Sequence, residues 1–397
     1  TLIVNNSNTS TNRGLTLNDT ATFTINSGST ALKGTIKGTG TLVKKGAGQL
    51  NLNAGNSYSG GIILENGTLA QGAWNATLCA SGASLTVKNG TVRIFDQNST
   101  STIPNFNYKV SVPKGGKMTL NAGQRCHING SFSGEGSVTL TIPYVRTDMM
   151  ADWSSFNGNL TVTGNQFRLC KSIDMKGTTL TLGDGLYMGH FRSGSGDAQS
   201  LTSHIGALAS TGNPTIGNGT FNVGYNNQNA TFTGTLTCNT HKYGTGNWTL
   251  TGTANTGTLT IHEGAVIANN TSGTIAGTIN VMKGSSLYGK GFVKSVSLKK
   301  GSKLMAGQAT YLNGTLTING TLTSEGGSTI LMKIGKANND KLHFGGAAIF
   351  GKDTLEITIT NRTITEGEEF QLFEIDKTFK HSFIVKGTPG EGLMWDI

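Results

Sequence analysis

GTGTLVKKGAGQLNLNAGNSYSGGIILENGTLAQG, running from Gly38 to Gly72, sets three glycine-anchored strand starts in a row. Worn copies of the phrase return along the whole chain. Gly-Thr-Leu or a close variant stands at Gly40, Gly67, Gly90, Gly234, Gly257, Gly277, Gly314 and Gly320, and alternating runs such as Thr258 to Glu263, TLTIHE, follow it. Alternation with period two marks strands. A short strand-turn unit that recurs cannot bury its apolar side alone, so the fold must come from stacking neighbours as a solenoid.

Composition agrees. The chain has 397 residues and 58 glycines, about twice the usual share of roughly 7%. Hydrophobic residues make up 35%, which suits a thin continuous core better than one thick one. Lys and Arg number 31 against 21 Asp and Glu, a net charge of +10. The basic residues are dispersed, without the stripe and interleaved aromatics of a nucleic-acid binder, so no nucleic-acid partner is expected. The one concentration, Lys290, Lys294, Lys299, Lys300 and Lys303, reads as solvated turn and strand positions. Cys79, Cys126, Cys170 and Cys238 lie too far apart for paired zinc-ligand spacing. No metal and no cofactor are expected, and the cysteines read as small buried residues. No apolar run is long enough for a membrane-spanning helix. The chain starts at Thr1 without a signal peptide, which suits a mature or excised segment.

A second marker, an aromatic residue two before a glycine, falls at Tyr58, Phe132, Phe156 and Phe232. Its spacing predicts coils of about 25 residues, roughly fifteen of them, within the range of known solenoid repeats. The pairs Asn66-Gly67, Asn89-Gly90, Asn129-Gly130, Asn218-Gly219, Asn313-Gly314 and Asn319-Gly320 mark corners, and Gly60 is expected to take a positive-φ corner too. Asn-Gly is also a hairpin signal, so a twisted antiparallel sandwich is the rival. Against it, successive repeats keep one order of strand and turn. Residues 1–337 are read as the repeat region, with irregular loops from about 93 to 205. Residues 338–397, more charged, are read as a divergent C-terminal β cap.

These motifs resemble the autotransporter-associated β-strand repeats of secreted Gram-negative passenger proteins. The likeness rests on Lys45-Gly46-Ala47-Gly48-Gln49-Leu50, on Asn56-Ser57-Tyr58-Ser59-Gly60-Gly61, and on a terminal-type section from Gly284 to Leu355. The family's repeat consensus runs through a Lys-x-Gly-x-Gly-x-Leu strand into an Asn-x-Tyr-x-Gly-Gly turn. The resemblance implies a right-handed parallel β-helix, an exported protein at the outer surface or secreted, and an adhesin-like or stalk role. It also implies that Gly392-Leu393-Met394-Trp395-Asp396-Ile397 ends a fragment, whose missing partner is a membrane barrel, a sorting domain or an enzyme.

Catalytic motifs are scarce: the chain has no G-x-S-x-G elbow, H-E-x-x-H pair or P-loop. Polysaccharide lyases and glycosidases need carboxylates gathered on one face. The best candidates are Arg146, Asp148 and Asp152 beside Trp153, whose competing reading is an ion pair that pins a loop. Tyr144, Trp153, Tyr187, His190 and Arg192 are the candidate ligand-binding residues, since flat aromatic side chains with a polar tip suit sugar rings. The expected function is a non-catalytic surface module whose partner is a polysaccharide or a cell-surface glycan. The alternative is a polysaccharide-active enzyme.

Overall fold

The computed structural model describes all residues except 6–7, 96–102, 124, 254, 308–313 and 397, so Asn313 and Ile397 lie outside the described residues. Strands and turns make up the described chain, with no helix among them. It divides into two compact units, Thr1–Gly206 and Ala207–Ile397. In each, parallel strands stack as a β-solenoid.

In the first unit one eight-stranded sheet runs Leu2–Val4, Ala21–Ile25, Leu42–Lys45, Ile62–Leu64, Ser84–Val87, Lys109–Ser111, Ser131–Gly134 and Asp152–Phe156. A facing row takes like residues onto like: Leu50 pairs Leu69, then Val92, Leu120, Leu140, Val162 and Leu182. All seven are buried. In the second unit Trp248, Val266, Leu287, Leu304, Ile330 and Leu355 form a column of the same kind in a separate eight-stranded sheet. Alternation sends every second residue of a strand inward, and each buried Leu or Val adds about 1.5–3 kcal/mol.

The named ladders of both units are parallel; antiparallel pairing among the described residues is limited to isolated bridges such as Phe191 to Ala198. The antiparallel sandwich is thereby removed. The coil is also shorter than the expected 25 residues in most places. Like positions lie 21 residues apart at Thr9 and Thr30, 18 at Asn229 and Asn247, and 26 at Ser302 and Ser328. The aromatic marker misled because Phe156 stands opposite Gly134, not Phe132, after a register shift.

The stretch from about 93 to 205 carries long strands, Ser137–Met149, Asn159–Leu169 and Asp174–Gly183, as well as an irregular excursion beyond His190. Stacking likewise runs through residue 338, since Thr329–Ile334 pairs Thr354–Ile359, which pairs Ile384–Lys386. Phe344, Phe350, Phe373, Phe379 and Phe383 gather on these last turns, with neighbouring ring centroids 4.9–6.4 Å apart.

The glycine expected at a positive-φ corner is Gly61, with φ of 80°, not Gly60. Gly60 is required for a different reason: a Cβ there would run into the backbone of Gly40 on the preceding coil. Likewise, the lysine that begins the Lys-x-Gly-x-Gly-x-Leu phrase is Lys44. Lys45 points out to pair with Glu65 at 3.1 Å. Lys44 is fully buried and turns its ammonium onto three carbonyls, those of Lys45 (2.8 Å), Gly46 (2.7 Å) and, one coil on, Asn66 (3.2 Å). Gly67 leaves the room for it, since a Cβ there would lie 2.7 Å from Nζ. Lys242 repeats the arrangement in the second unit, on Tyr243 (2.6 Å), Gly244 (2.7 Å) and Glu263 (3.3 Å). Burial lowers both lysines to about 8.

A corner carbonyl that turns away from the ladder must find another donor or remain unsatisfied inside the protein. Lys44→Met keeps the apolar stem but withdraws that donor, so a loss of about 1–3 kcal/mol per orphaned group is expected. Equilibrium denaturation of the variant beside Lys45→Met measures it, and equal stabilities would refute the role.

Candidate functional site

The sequence candidates separate once the coil register is known. His127, Asp148 and Arg168 are direct neighbours on three successive parallel strands, and the fourth position of the row is Gly189. Adjacent strands lie about 4.8 Å apart, so such a row brings its charges together whatever their separation in sequence. Asp148 is 1% exposed. His127 Nε2 stands 3.5 Å from its Oδ2, and Arg168 Nε and Arg146 Nε stand 3.5 and 3.7 Å from its Oδ1.

The row is closed over by a short excursion of chain. Phe191 bridges Ala198, Arg192 N donates to Asp197 O at 2.9 Å, and Gln199 N donates to His190 O at 3.0 Å. The tip of this strap folds onto the carboxylate: Gly194 N donates to Asp148 Oδ2 at 2.8 Å and Ser193 Oγ at 3.3 Å. Two arginines hold its backbone, Arg146 through Gly194 O and Arg168 through Arg192 O, both at 3.1 Å. The Arg168 guanidinium also lies 4.6 Å above the Phe191 ring.

Burial alone would raise the Asp148 carboxyl. The His127 contact, the Gly194 N–H and the two arginines outweigh it, and the net shift is downward. Asp148 is therefore a structural anion at the centre of a net positive cluster. Oδ2 accepts from the strap, while Oδ1 is enclosed 3.5 and 3.7 Å from the two arginines without a hydrogen bond. Arg168 and His127 were missed by sequence reasoning because a 25-residue coil puts them out of line; the true step here, 21 residues from Cys126 to Thr147, aligns them.

The other candidates do not join this cluster. Asp152 lies on the other sheet, exposed, where it accepts from Ser154 N at 3.0 Å. Trp153 is 1% exposed and stacks on Phe132 with centroids 4.0 Å apart, so it shows no face to solvent. His190 is fully buried against Ser203 Oγ at 2.8 Å. Tyr144 is 41% exposed, with its carbonyl taken by Asn165 Nδ2. Tyr187 packs against Phe191 at 5.8 Å, and Arg192 is exposed near Asp197. Of the aromatic set, then, Tyr144 and Tyr187 keep access to solvent and Trp153 does not.

Three of the four cysteines are buried and all are free. Burial pushes Cys79, Cys126 and Cys170 up to about 12 and Cys238 to about 11, so they are poor nucleophiles and ligands. Among the described residues no three His, Cys, Asp or Glu side chains gather as a metal site, and no helix is long and apolar enough to cross a membrane.

In the second unit a ladder of rings climbs one corner. Tyr225 stacks on Tyr243 at 5.0 Å, Tyr243 on His262 at 4.5 Å, and His241 Nδ1 lies 2.9 Å from His262 Nε2. Such a contact needs one nitrogen to donate and the other to accept. Burial holds both histidines below their usual value, and His241 lowers His262 further.

Coils of parallel strands stacked in register define a repeat β-solenoid. The family model described as passenger-associated-transport-repeat matches residues 42–70 and 241–268. Each matched segment begins within two residues of a caged lysine, Lys44 in one and Lys242 in the other. The chain is also similar to the adhesin BmaC autotransporter of Brucella suis biovar 1 (strain 1330), 28% identical over 148 residues. That alignment takes in 37% of this chain and 4% of the adhesin. These matches support a relation to autotransporter passenger repeats, carried by two segments of the chain.

Two measurements test the electrostatics. Removing one partner of a buried ion pair typically costs about 3–5 kcal/mol, so Asp148→Asn is expected to lose roughly that and to open residues 191–201 to protease. Asp152→Asn, at the surface, should change stability by less than about 0.5 kcal/mol. Comparable losses in the two would reject the strap. For the histidine pair, the folded values lie below the unfolded value of about 6.5, so the unfolded chain binds more protons in that window. Stability is then full above about pH 6.5 and falls as pH drops below it. His262→Gln is expected to flatten the fall in melting temperature between pH 7 and 5; an unchanged slope would count against the pair.

Proposed function

We propose that this chain is a non-catalytic, adhesin-like module of an exported passenger, working at the outer surface of a Gram-negative cell or after secretion, with polysaccharide or cell-surface glycan as its ligand class. The observation that carries the reading is the condition of Asp148. In a glycan-cleaving β-solenoid, carboxylates face the substrate groove. Here Asp148, the carboxylate that stands against Arg146 and Arg168, is enclosed by the strap, and Asp152 is on another sheet.

The similarity to a Brucella adhesin supports an adhesive role. Stacked like coils suit it physically, because repeated weak contacts are multiplied by avidity. A barrel or sorting domain elsewhere in the full protein is the partner that this passenger reading supplies.

The test is a panel of neutral and acidic polysaccharides incubated with the purified chain, with bound fraction and new reducing ends both measured. Retention of at least one polymer without new ends is the expected result. New ends that depend on the wild-type chain would replace this reading with the enzymatic one.

A further inference from the structure

Between Thr68–Gln71 and Ser84–Val87 the first unit leaves its regular path, and the excursion carries Trp74, 52% exposed. A single exposed Trp is ordinary by itself; what distinguishes Trp74 is the held backbone and the cavity beside it. The excursion is held firmly. Gln71 Nε2 donates to Ala76 O at 2.6 Å, Thr77 N to Ala54 O at 3.0 Å, and Leu78 N to the buried hydroxyl of Tyr108 at 2.8 Å. Trp74 therefore stands on a fixed base, beside a cavity of about 220 Å³.

The walls of this cavity have a definite chemistry. Asn75, Asn105, Asn107 and Tyr108 contribute its polar groups, and none of the lining side chains is charged, in a chain of net charge +10. Asn129 Nδ2 donates to the side-chain oxygens of Asn105 at 3.0 Å and of Asn107 at 2.8 Å. Each of these oxygens thus has one acceptor position taken, and the Nδ2 groups of Asn105 and Asn107 remain as donors. The Tyr108 oxygen accepts from Leu78 N, which leaves its O–H to donate. The site is thus an aromatic plate beside uncharged donors. Its volume is below the roughly 300–1,000 Å³ of drug-sized sites, so it suits one ring.

We propose that this cavity is a subsite for a single neutral sugar ring of the N-acetylhexosamine class, stacked on Trp74 with its acetamido carbonyl and hydroxyl oxygens accepting from Asn105, Asn107 and Tyr108. Charged sugars are disfavoured, because a carboxylate here would be desolvated without a cationic partner. The inference rests on the glycan-binding part of the function proposed above and gives it a place and a ligand class. One such contact is weak, about millimolar for a ligand of this size, and repetition on a cell surface raises it.

The experiment is ligand-observed NMR titration of the purified chain with N-acetylglucosamine, N-acetylgalactosamine and glucuronic acid. Saturation transfer from the protein to the acetylated sugars is expected, with little to glucuronic acid. Trp74→Ala should weaken the binding by at least about tenfold and Asn75→Ala by less, while Trp74→Phe restores part of it. Both side chains are exposed, so their melting temperatures should match the wild type. Unaltered affinity in Trp74→Ala, preference for glucuronic acid, or silence toward the acetylated sugars at tens of millimolar would each overturn the site. If the polysaccharide panel still binds Trp74→Ala as tightly as the wild type, the adhesive reading stands and this site falls. If no polymer binds the wild type at all, both fall.

Discussion

Backbone polar groups at the corners of a parallel coil are the constraint on which the rest of this protein depends. Along the strands each N–H and C=O pairs with the coil before and the coil after, as the continuous registers of both units show. At a corner the carbonyls splay, and the ladder no longer reaches them. The chain answers at Lys44 and Lys242 with a covalently attached cation, whose ammonium gathers three carbonyls from two coils. Lowering of both lysines to about 8 records the cost of burying that charge. Hydrogen bonds to carbonyls favour the charged form and oppose that cost. The lysine is thus a stitch between successive coils, and the glycines around it give the head group space.

Asp148 meets a related need with the opposite charge. Long strands from Ser137 to Gly183 widen the sheet in this part of the first unit, and the strap beyond His190 has to be fastened to it. A buried carboxylate receiving N–H groups from the strap and flanked by two arginines does so. The same enclosure that makes the cluster a good fastening keeps its carboxylate from solvent. The proposed adhesive role looks instead to surfaces that the coil scaffold holds rigid but does not itself consume, such as the uncharged cavity beside Trp74.

Much of the architecture could be read directly. Alternation in runs such as Thr258 to Ile261, with Leu259 and Ile261 buried, needed no tertiary information. Nor did the identity of the Gly38 to Gly72 phrase as a repeat. Coil length was harder, because paired positions lie from 17 residues apart, as at Thr278 and Ser295, to 31, as at Ala348 and Phe379, while the side-chain pattern repeats every two. An error of four residues leaves each strand assignment intact but moves every cross-coil neighbour. That is why Asp148 was found and its partners His127 and Arg168 were not. Trp153 was placed at a surface for a similar reason: an aromatic residue beside acidic ones reads as a site, whereas Phe132 on the neighbouring strand covers it.

The amino-acid sequence alone carried the repeat character and the strands, which follow from local periodicity and from glycine and asparagine at short spacings; a parallel helix was implied by the resemblance to passenger repeats, and the ladders removed its antiparallel rival. Only the tertiary structure decided which charges meet, which aromatic rings stay in solvent, and that Lys44, not Lys45, is the buried one. The physical reason is that a solenoid's local rules act within one coil, while its chemistry arises between coils. A contact across about 4.8 Å of stacking joins residues some twenty positions apart, and their alignment depends on the summed length of every turn between them.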